Sequence, residues 1–368
     1  MTNVLLLTSH PLAPPWDSAD KQLAMSLAHR LERRYRFTVF GRAGHPSDLP
    51  SSRRIPIWSR HGRPGLVERT QVALAGLAVE LTVDLVHVVL TIGPGFSRLT
   101  SLRRRLPSTV RRPVIHTVPG IRDRTDLDRS HPLGLTVALS ETTASRLRGA
   151  GFSDVRVLPP GIPLQRWPFV EKTRRDPRLI LFAGHHDPDA GAEDAIRGVA
   201  AATHRERPLT LVLAMRTRLG QNAAREHERL NAVARAAGLA DFELRGHVSD
   251  MASLIRSSSL VLFPARSLAG KADIPLVVLE AMASGRPVIV SDVPQFAPLG
   301  HGVTRVCVGD PAALGKAIGL LLDRRERWHG QAREGRAIVE ARFSDEVMAS
   351  RYAELYEEAL AMGARSHR

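Results

Sequence analysis

The 368-residue sequence predicts an α/β protein built from two Rossmann-like domains. Short apolar runs alternate with amphipathic helical stretches. The alternation breaks once and restarts, and the chain exceeds what one hydrophobic core usually serves.

In the first half, NVLLLTS (3–9), FTVFG (37–41), DLVHVVL (84–90), PVIHTV (113–118), TVALS (136–140) and VRVLP (155–159) read as buried parallel strands. Residues 19–34 and 141–151 between them have helical periodicity. The break falls at 159–178, dense in proline and charge, and reads as a linker. LILFAG (179–184), LTLVLAM (209–215), DFELRG (241–246), SLVLFPA (259–265) and RPVIVSD (286–292) then restart the strand pattern. Residues 344–362 form an amphipathic helix with Ser344 as its N-cap. The expected boundaries are 1–165 for the first domain, 166–343 for the second and 344–368 for the terminal helix. In doubly wound sheets ligands sit beyond the carboxyl ends of the strands, and two facing domains leave a cleft between them.

Composition narrows the function classes. Hydrophobic residues at 43% supply both cores, and the lone Cys307 excludes an internal disulfide framework and cysteine-cluster metal sites. Val4 to Leu7 is too short for a signal peptide or a span, and no later run approaches the roughly 20 apolar residues a span needs. The cytoplasm is the expected location. Net charge is +15, carried almost wholly by arginine, with lysine only at Lys21, Lys172, Lys271 and Lys316. That skew, with abundant alanine, looks like a coding bias, and aromatics at 5% offer no base-stacking platform, so no nucleic-acid partner is expected. Contact of Arg103-Arg104-Arg105 and Arg111-Arg112 with a membrane surface is left open, a solvated face being favoured.

The chemistry concentrates in GKADIPLVVLEAMASGRPVIVSD (270–292), where Glu280 stands alone in an apolar run from Ile274 to Ala283. An unpartnered buried charge costs several kcal/mol, so something must satisfy it. The pattern predicts a strand ending at Pro264, a loop through Lys271, and a helix with Asp273 as N-cap and Pro275 in its first turn. Gly285 closes that helix. Its start lies at the ligand end of the sheet, where unpaired amides and the helix dipole favour an anion such as a diphosphate, with the charge of Lys271 just ahead. Glu280, one turn deeper, points back toward that place and could hold a ribose diol through both oxygens. The other reading has Glu280 bonded to an arginine or backbone amides in a purely structural role.

PLVVLEAMASGRPVIVSD resembles the nucleotide-sugar signature of glycosyltransferase family 4, the retaining enzymes of GT-B fold. LLLTSHPLAPP, VALSETTASRLRGAGF, VRVLPPGI, LILFAG, ELRGHVSDMASLIRSSSLVLFPA and RYAELYEEAL fit the same resemblance in order along nearly the whole chain. It implies an NDP-sugar in the second domain, an acceptor in the first, and a last helix that crosses back onto the first. Glu280 takes the ribose position, and the backbone at Ile274, Pro275, Leu276 and Val277 meets the diphosphate or sugar. Gly184, His185, His247 and Val248 are further donor-side positions.

Departures from the family pattern shape the expectation. The first signature glutamate is replaced by Ala272, and Asp273 either takes over the sugar contact or merely caps the helix. The family's basic pair falls on His185 and Ala190, which leaves Lys271 and Arg216 as candidates to stabilise the leaving diphosphate. The glycine pair of the first loop becomes Ser18-Ala19, and Trp16, Asp17, Ser18 and Lys21 are candidate acceptor or donor contacts. The family's histidine falls on Pro119, and His116 reads as a core residue.

The expected activity is metal-independent retaining transfer of a sugar, of an unusual kind, from an NDP-sugar to a small-molecule or lipid-linked acceptor. Specialised metabolite or glycoconjugate biosynthesis is the expected setting. No cofactor is expected, since neither HExxH nor a DxD triplet in a cation-binding context is found. The alternatives are a non-catalytic transferase-like binding partner or a sugar-nucleotide epimerase of the same fold.

Overall fold

The computed structural model describes residues 1–13, 18–42, 49, 52–58, 65–93, 96–104, 112–171, 179–202, 208–216, 222–269 and 271–366. The chain divides into two compact units, one of residues 1–163, 269–274 and 342–368 and one of residues 164–268 and 275–341.

The first unit contains β1 (Thr2–Thr8), α1 (Ala19–Leu31), β2 (Tyr35–Arg42), β3 (Arg53–Trp58), α2 (Leu66–Glu80), β4 (Leu85–Val89), α3 (Phe96–Arg104), β5 (Val114–Val118), α4 (Arg124–Asp128), β6 (Leu135–Ala138), α5 (Glu141–Gly149) and β7 (Val155–Val157). Among the described residues these strands form one parallel sheet in the order β3-β2-β1-β4-β5-β6-β7. Its central strands are buried on both faces because helices cover both. β3 is absent from the sequence-based assignment: its arginines and Pro56 do not read as a strand, and only an edge position, where one ladder of backbone groups is free, tolerates that proline.

The second unit contains β8 (Leu179–His185), α6 (Ala192–Ala202), β9 (Thr210–Arg216), α7 (Ala223–Ala236), β10 (Phe242–Arg245), α8 (Met251–Ser257), β11 (Leu260–Phe263), α9 (Leu276–Ala283), β12 (Val288–Ser291), β13 (Thr304–Val306), α10 (Pro311–Asp323) and most of α11 (Arg325–Arg342). Its parallel sheet runs β10-β9-β8-β11-β12-β13. The chain winds outward from β8 through β9 to β10, then returns to β11 on the other side. The order therefore reverses between β8 and β11, and that switch point opens a crevice at the carboxyl ends of the strands.

α12 (Asp345–Ser366) belongs to the first unit. Ser344 caps it, its Oγ accepting from the Val347 N–H at 3.2 Å. The helix inserts Met348, Tyr352 and Tyr356 into the same core as β1, β4 and β5. Tyr356 Oη meets Nδ1 of His87 at 2.7 Å, Nε2 of His87 meets Thr117 Oγ1 at 2.8 Å, and Thr117 Oγ1 meets Tyr352 Oη at 2.8 Å. Burial then holds His87 neutral, its pKa lowered to about 3, with the neighbouring His116 adding to the effect. At the rim Arg30 forks onto Asp345 with two bonds of 2.9 Å. This is the GT-B architecture: two Rossmann-like units and a terminal helix returning to the first.

α9 ends where Gly285 adopts φ +71°, its N–H donating to Met282 and that of Arg286 to Ala281. A Cβ on Gly285 would also lie 2.6 Å from the ring of Phe169. Gly285→Ala combines a left-handed backbone with a steric clash and is expected to cost about 2–4 kcal/mol. Urea unfolding followed by tryptophan fluorescence measures it, and a wild-type midpoint would contradict this helix ending.

Candidate active site

The site builds on α9 and the strand ends around the switch point of the second sheet. α9 is apolar on nearly every side, with Leu276, Val278, Leu279, Ala281, Met282 and Ala283 buried, so it docks as an interior helix. Glu280 is carried inward with them and is only 7% exposed. Among the described residues its carboxylate makes no hydrogen bond and no ion pair. Burial raises its pKa, the charges of Arg166 and Arg216 pull it back, and the balance leaves it at about 7. An acid so placed gains much from a ligand bringing hydroxyl donors.

The helix start matches an anion site in one respect and differs from expectation in another. Pro275, with φ −62° and ψ 129°, is the N-cap residue, and no side chain caps α9. Asp273 is therefore not the N-cap, because a capping side chain must stand next to the first helical residue and here that residue is Leu276. The Asp273 carboxylate accepts from Ser140 Oγ at 2.7 Å and Thr143 Oγ1 at 2.8 Å instead. Burial pushes its pKa up and the two hydroxyls oppose that. Residues 269–274 pack as part of the first unit. The Asp273 N–H donates to Pro119 O at 3.3 Å, and Gly120 lies so close to Lys271 O that a Cβ would be 2.2 Å from it. Lys271, Asp273 and Ile274 thus lie in the first unit, whereas Pro275, Leu276, Val277 and Glu280 lie in the second.

Within the second unit, Gly184 and His185 end β8 and pair with Met215 and Arg216 at the end of β9. All four stand at the carboxyl edge, β8 bordering the switch point and β9 one strand from it, and Arg216 reaches Glu280 electrostatically. His247 is exposed and Val248 half-buried after β10, the edge strand, two positions away from β8 in the sheet. Arg166, in a short 3-10 turn (Leu164–Arg166), was not singled out in the sequence. It supplies the larger of the two cationic influences on Glu280. Its only signal was a basic residue inside the proline-rich stretch.

In the first unit, Ser18 is the N-cap residue of α1 in extended conformation, without a capping side-chain bond, and Lys21 is buried in that helix. Trp16 and Asp17 lie outside the described residues. His116 is buried, stacks on Phe96 at 4.7 Å and places Nε2 3.0 Å from Leu90 O, as a core histidine does. Among the described residues no group of three or more His, Cys, Asp or Glu side chains could hold a metal ion, and no helix is long and apolar enough to cross a membrane.

Residues 177–324 match the model of a family described as Glycosyl transferases group 1. The chain is related to the group 1 glycosyl transferases. A glycogen synthase of Mycobacterium tuberculosis is 28% identical over 222 residues, covering 58% of this chain and 50% of the relative. The aligned region is thus about half the length of that curated relative. Among solved structures, the sucrose-phosphate synthase of Thermosynechococcus elongatus superposes with a TM-score of 0.77 at 19% identity, covering 98% of this chain and 100% of that one. Anabaena HepE, crystallised with UDP and glucose, gives 0.73 at 15% identity over 97% of this chain and 100% of its own. At such identities these two structures establish a shared fold.

The raised pKa of Glu280 has a consequence with a definite sign. A carboxyl whose folded pKa lies above its unfolded value contributes full stability at low pH, and that contribution is lost as pH rises. For Glu280 the window runs from 4.5 to about 7. Glu280→Gln is expected to remove about 3 kcal/mol of this pH dependence and to exceed the unliganded wild type in stability above pH 7. Chemical unfolding midpoints across that window are the measurement, and parallel pH profiles for the two proteins would refute the burial of an uncompensated acid.

Proposed function

We propose that the protein is a metal-independent glycosyltransferase that moves a sugar from a nucleoside diphosphate sugar to a hydroxylated acceptor with retention at the anomeric carbon. The observation that carries this reading is Glu280, a buried acid with no hydrogen-bond donor among the described residues, one turn behind the start of α9. The family match over residues 177–324 supports it, and that stretch contains α9 and every strand of the second sheet. So does the fold shared with a protein crystallised with UDP and glucose.

In this reading the ribose diol donates two hydrogen bonds to Glu280. The diphosphate meets the N–H groups of Leu276 and Val277, where the helix dipole is positive and no side chain competes. Arg216, at the end of β9, and Lys271 oppose the charge that grows on the leaving group, the task a metal performs elsewhere. The bond from the anomeric carbon to the diphosphate breaks, the acceptor oxygen bonds the same carbon on the same face, and a leaving phosphate oxygen takes the acceptor's proton. Gly184, His185, His247 and Val248 complete the donor side. The departures from the family pattern at Ala272, His185 and Pro119 suit a sugar of unusual substitution, and the setting is the biosynthesis of a specialised metabolite or glycoconjugate.

A thermal-shift screen with UDP, GDP, TDP and ADP tests the donor site. A nucleotide at a hundred times its Kd adds about 2.7 kcal/mol of stability. One of the four is expected to stabilise the wild type and to lose most of that effect in Glu280→Ala. Arg216→Ala and Lys271→Ala are each expected to lower turnover by roughly 100-fold while leaving the unliganded melting temperature near wild type. Absence of stabilisation by all four nucleotides, or normal turnover in both cation variants, would defeat the reading.

A further inference from the structure

The connection that leaves β1 carries a second polar cluster, confined to the first unit. Ser9 and His10 directly follow the last residue of β1, and Asp20 lies in the first turn of α1. Ser9 Oγ is 2.7 Å from Asp20 Oδ2 and 2.7 Å from His10 Nδ1, and that nitrogen is 3.7 Å from Asp20 Oδ2. Thr8 Oγ1 donates to the backbone carbonyl of His10 at 2.6 Å and pins the turn that holds the imidazole. In the first sheet the strand order reverses between β1 and β4, so this turn stands at a switch-point crevice, the counterpart of the one beside β8.

Counting protons fixes the tautomer. An ionised carboxylate only accepts, so the single hydroxyl proton of Ser9 goes to Asp20. Burial opposes ionisation of Asp20, but the nearby His10 imidazole, the Ser9 hydroxyl and the Lys21 backbone N–H outweigh it, and the carboxyl sits below its usual range. The N-terminal turn of a 13-residue helix favours the same negative charge. With its proton so placed, Ser9 Oγ can receive only Nδ1–H from His10. In the neutral ring Nε2 then carries a lone pair and no proton.

Nε2 has no hydrogen-bond partner among the described residues, and the His10 side chain is 33% exposed. The arrangement is not that of a serine nucleophile. In such a triad histidine takes the serine proton, whereas here serine stands between the acid and the imidazole and its proton points to the acid. What remains is an oriented hydrogen-bond acceptor open to a crevice, and its complement is a hydroxyl.

We propose that Ser9, His10 and Asp20 form the hydroxyl-binding site for the substrate that receives the sugar, with His10 Nε2 accepting the hydrogen bond. The identity of that substrate as a sugar acceptor rests on the transferase reading above, while the tautomer does not. The ligand class is a neutral polyhydroxylated molecule, a sugar or polyol. His10 binds and positions the hydroxyl, and the proton lost in transfer still leaves on the phosphate.

Imidazole nitrogen-15 spectra of the full chain at mildly alkaline pH test this directly, with His10 assigned by comparison with His10→Gln. His10 is expected to be protonated on Nδ1 and bare on Nε2, with Ser9→Ala and Asp20→Asn each shifting it toward a mixture of tautomers. Titration with methyl glucosides, methyl mannosides and glycerol is expected to move the Nε2 resonance. A proton on Nε2 overturns the proposal, as does an Nε2 resonance that none of these probes moves. In transfer assays His10→Phe is expected to raise the acceptor KM roughly tenfold, with partial recovery in His10→Gln. Stabilisation by nucleoside diphosphate should be unchanged in both, which also shows that they fold. An unaltered acceptor KM would count against the site. Loss of nucleotide binding in the wild type strikes at the transferase reading instead, and leaves the tautomer and probe titrations to decide this one.

Discussion

A carboxylate withdrawn from water without a donor to meet it is the constraint on which the second unit turns. Glu280 cannot escape, because the helix that carries it is fastened on both sides by apolar contacts and at its end by a two-bond turn through Gly285. The next residue, Arg286, is buried, and its guanidinium donates to the carbonyls of Val170, Arg256 and Gly285. That arginine locks the passage from α9 into β12. Relief therefore has to come from outside the helix. Arg166 and Arg216 give part of it through space, and Arg216 stands at the carboxyl edge of the sheet. Such a site resembles other strained functional sites, where the scaffold holds a group in a state that binding makes comfortable.

The first unit meets a similar demand differently, with a buried polar network whose members find partners within the protein. His87, Thr117, Tyr352 and Tyr356 form a closed chain of hydrogen bonds across β4, β5 and α12. Asp273 is likewise met on both oxygens by hydroxyls. A polar network with every member bonded rigidifies a core and gives the terminal helix one seating. Set beside that network, Glu280 and His10 Nε2 have no hydrogen-bond partner among the described residues.

Much of this was legible in the sequence, and what escaped did so for identifiable reasons. The doubly wound sheets announce themselves because strands buried on both faces must be apolar throughout, as in LILFAG and LTLVLAM. Glu280 was visible for the same reason, an acid in a run that has no other use for one. The seating of Asp273 was invisible, because its partners lie 133 and 130 residues away and adjacency to a helix suggested capping. β3 was hidden by Pro56 and β13 by its three-residue length. Ser9, His10 and Asp20 are close in sequence, yet only their mutual geometry shows that a serine stands between the acid and the ring. Arg166 acts on Glu280 through space alone, and spacing cannot reveal that.

The place of α12 bears on how the chain comes into being. Tyr352 and Tyr356 fill the middle of the first core and partner His87 and Thr117, so that core stays open until those residues have left the ribosome. The second unit, apart from short threads, is complete in residues 164–341 and has all its strands translated earlier. Assembly therefore runs out of chain order: the half made first is finished last, and a nascent chain stalled before residue 345 would display an unfilled groove to the chaperones that patrol emerging polypeptides.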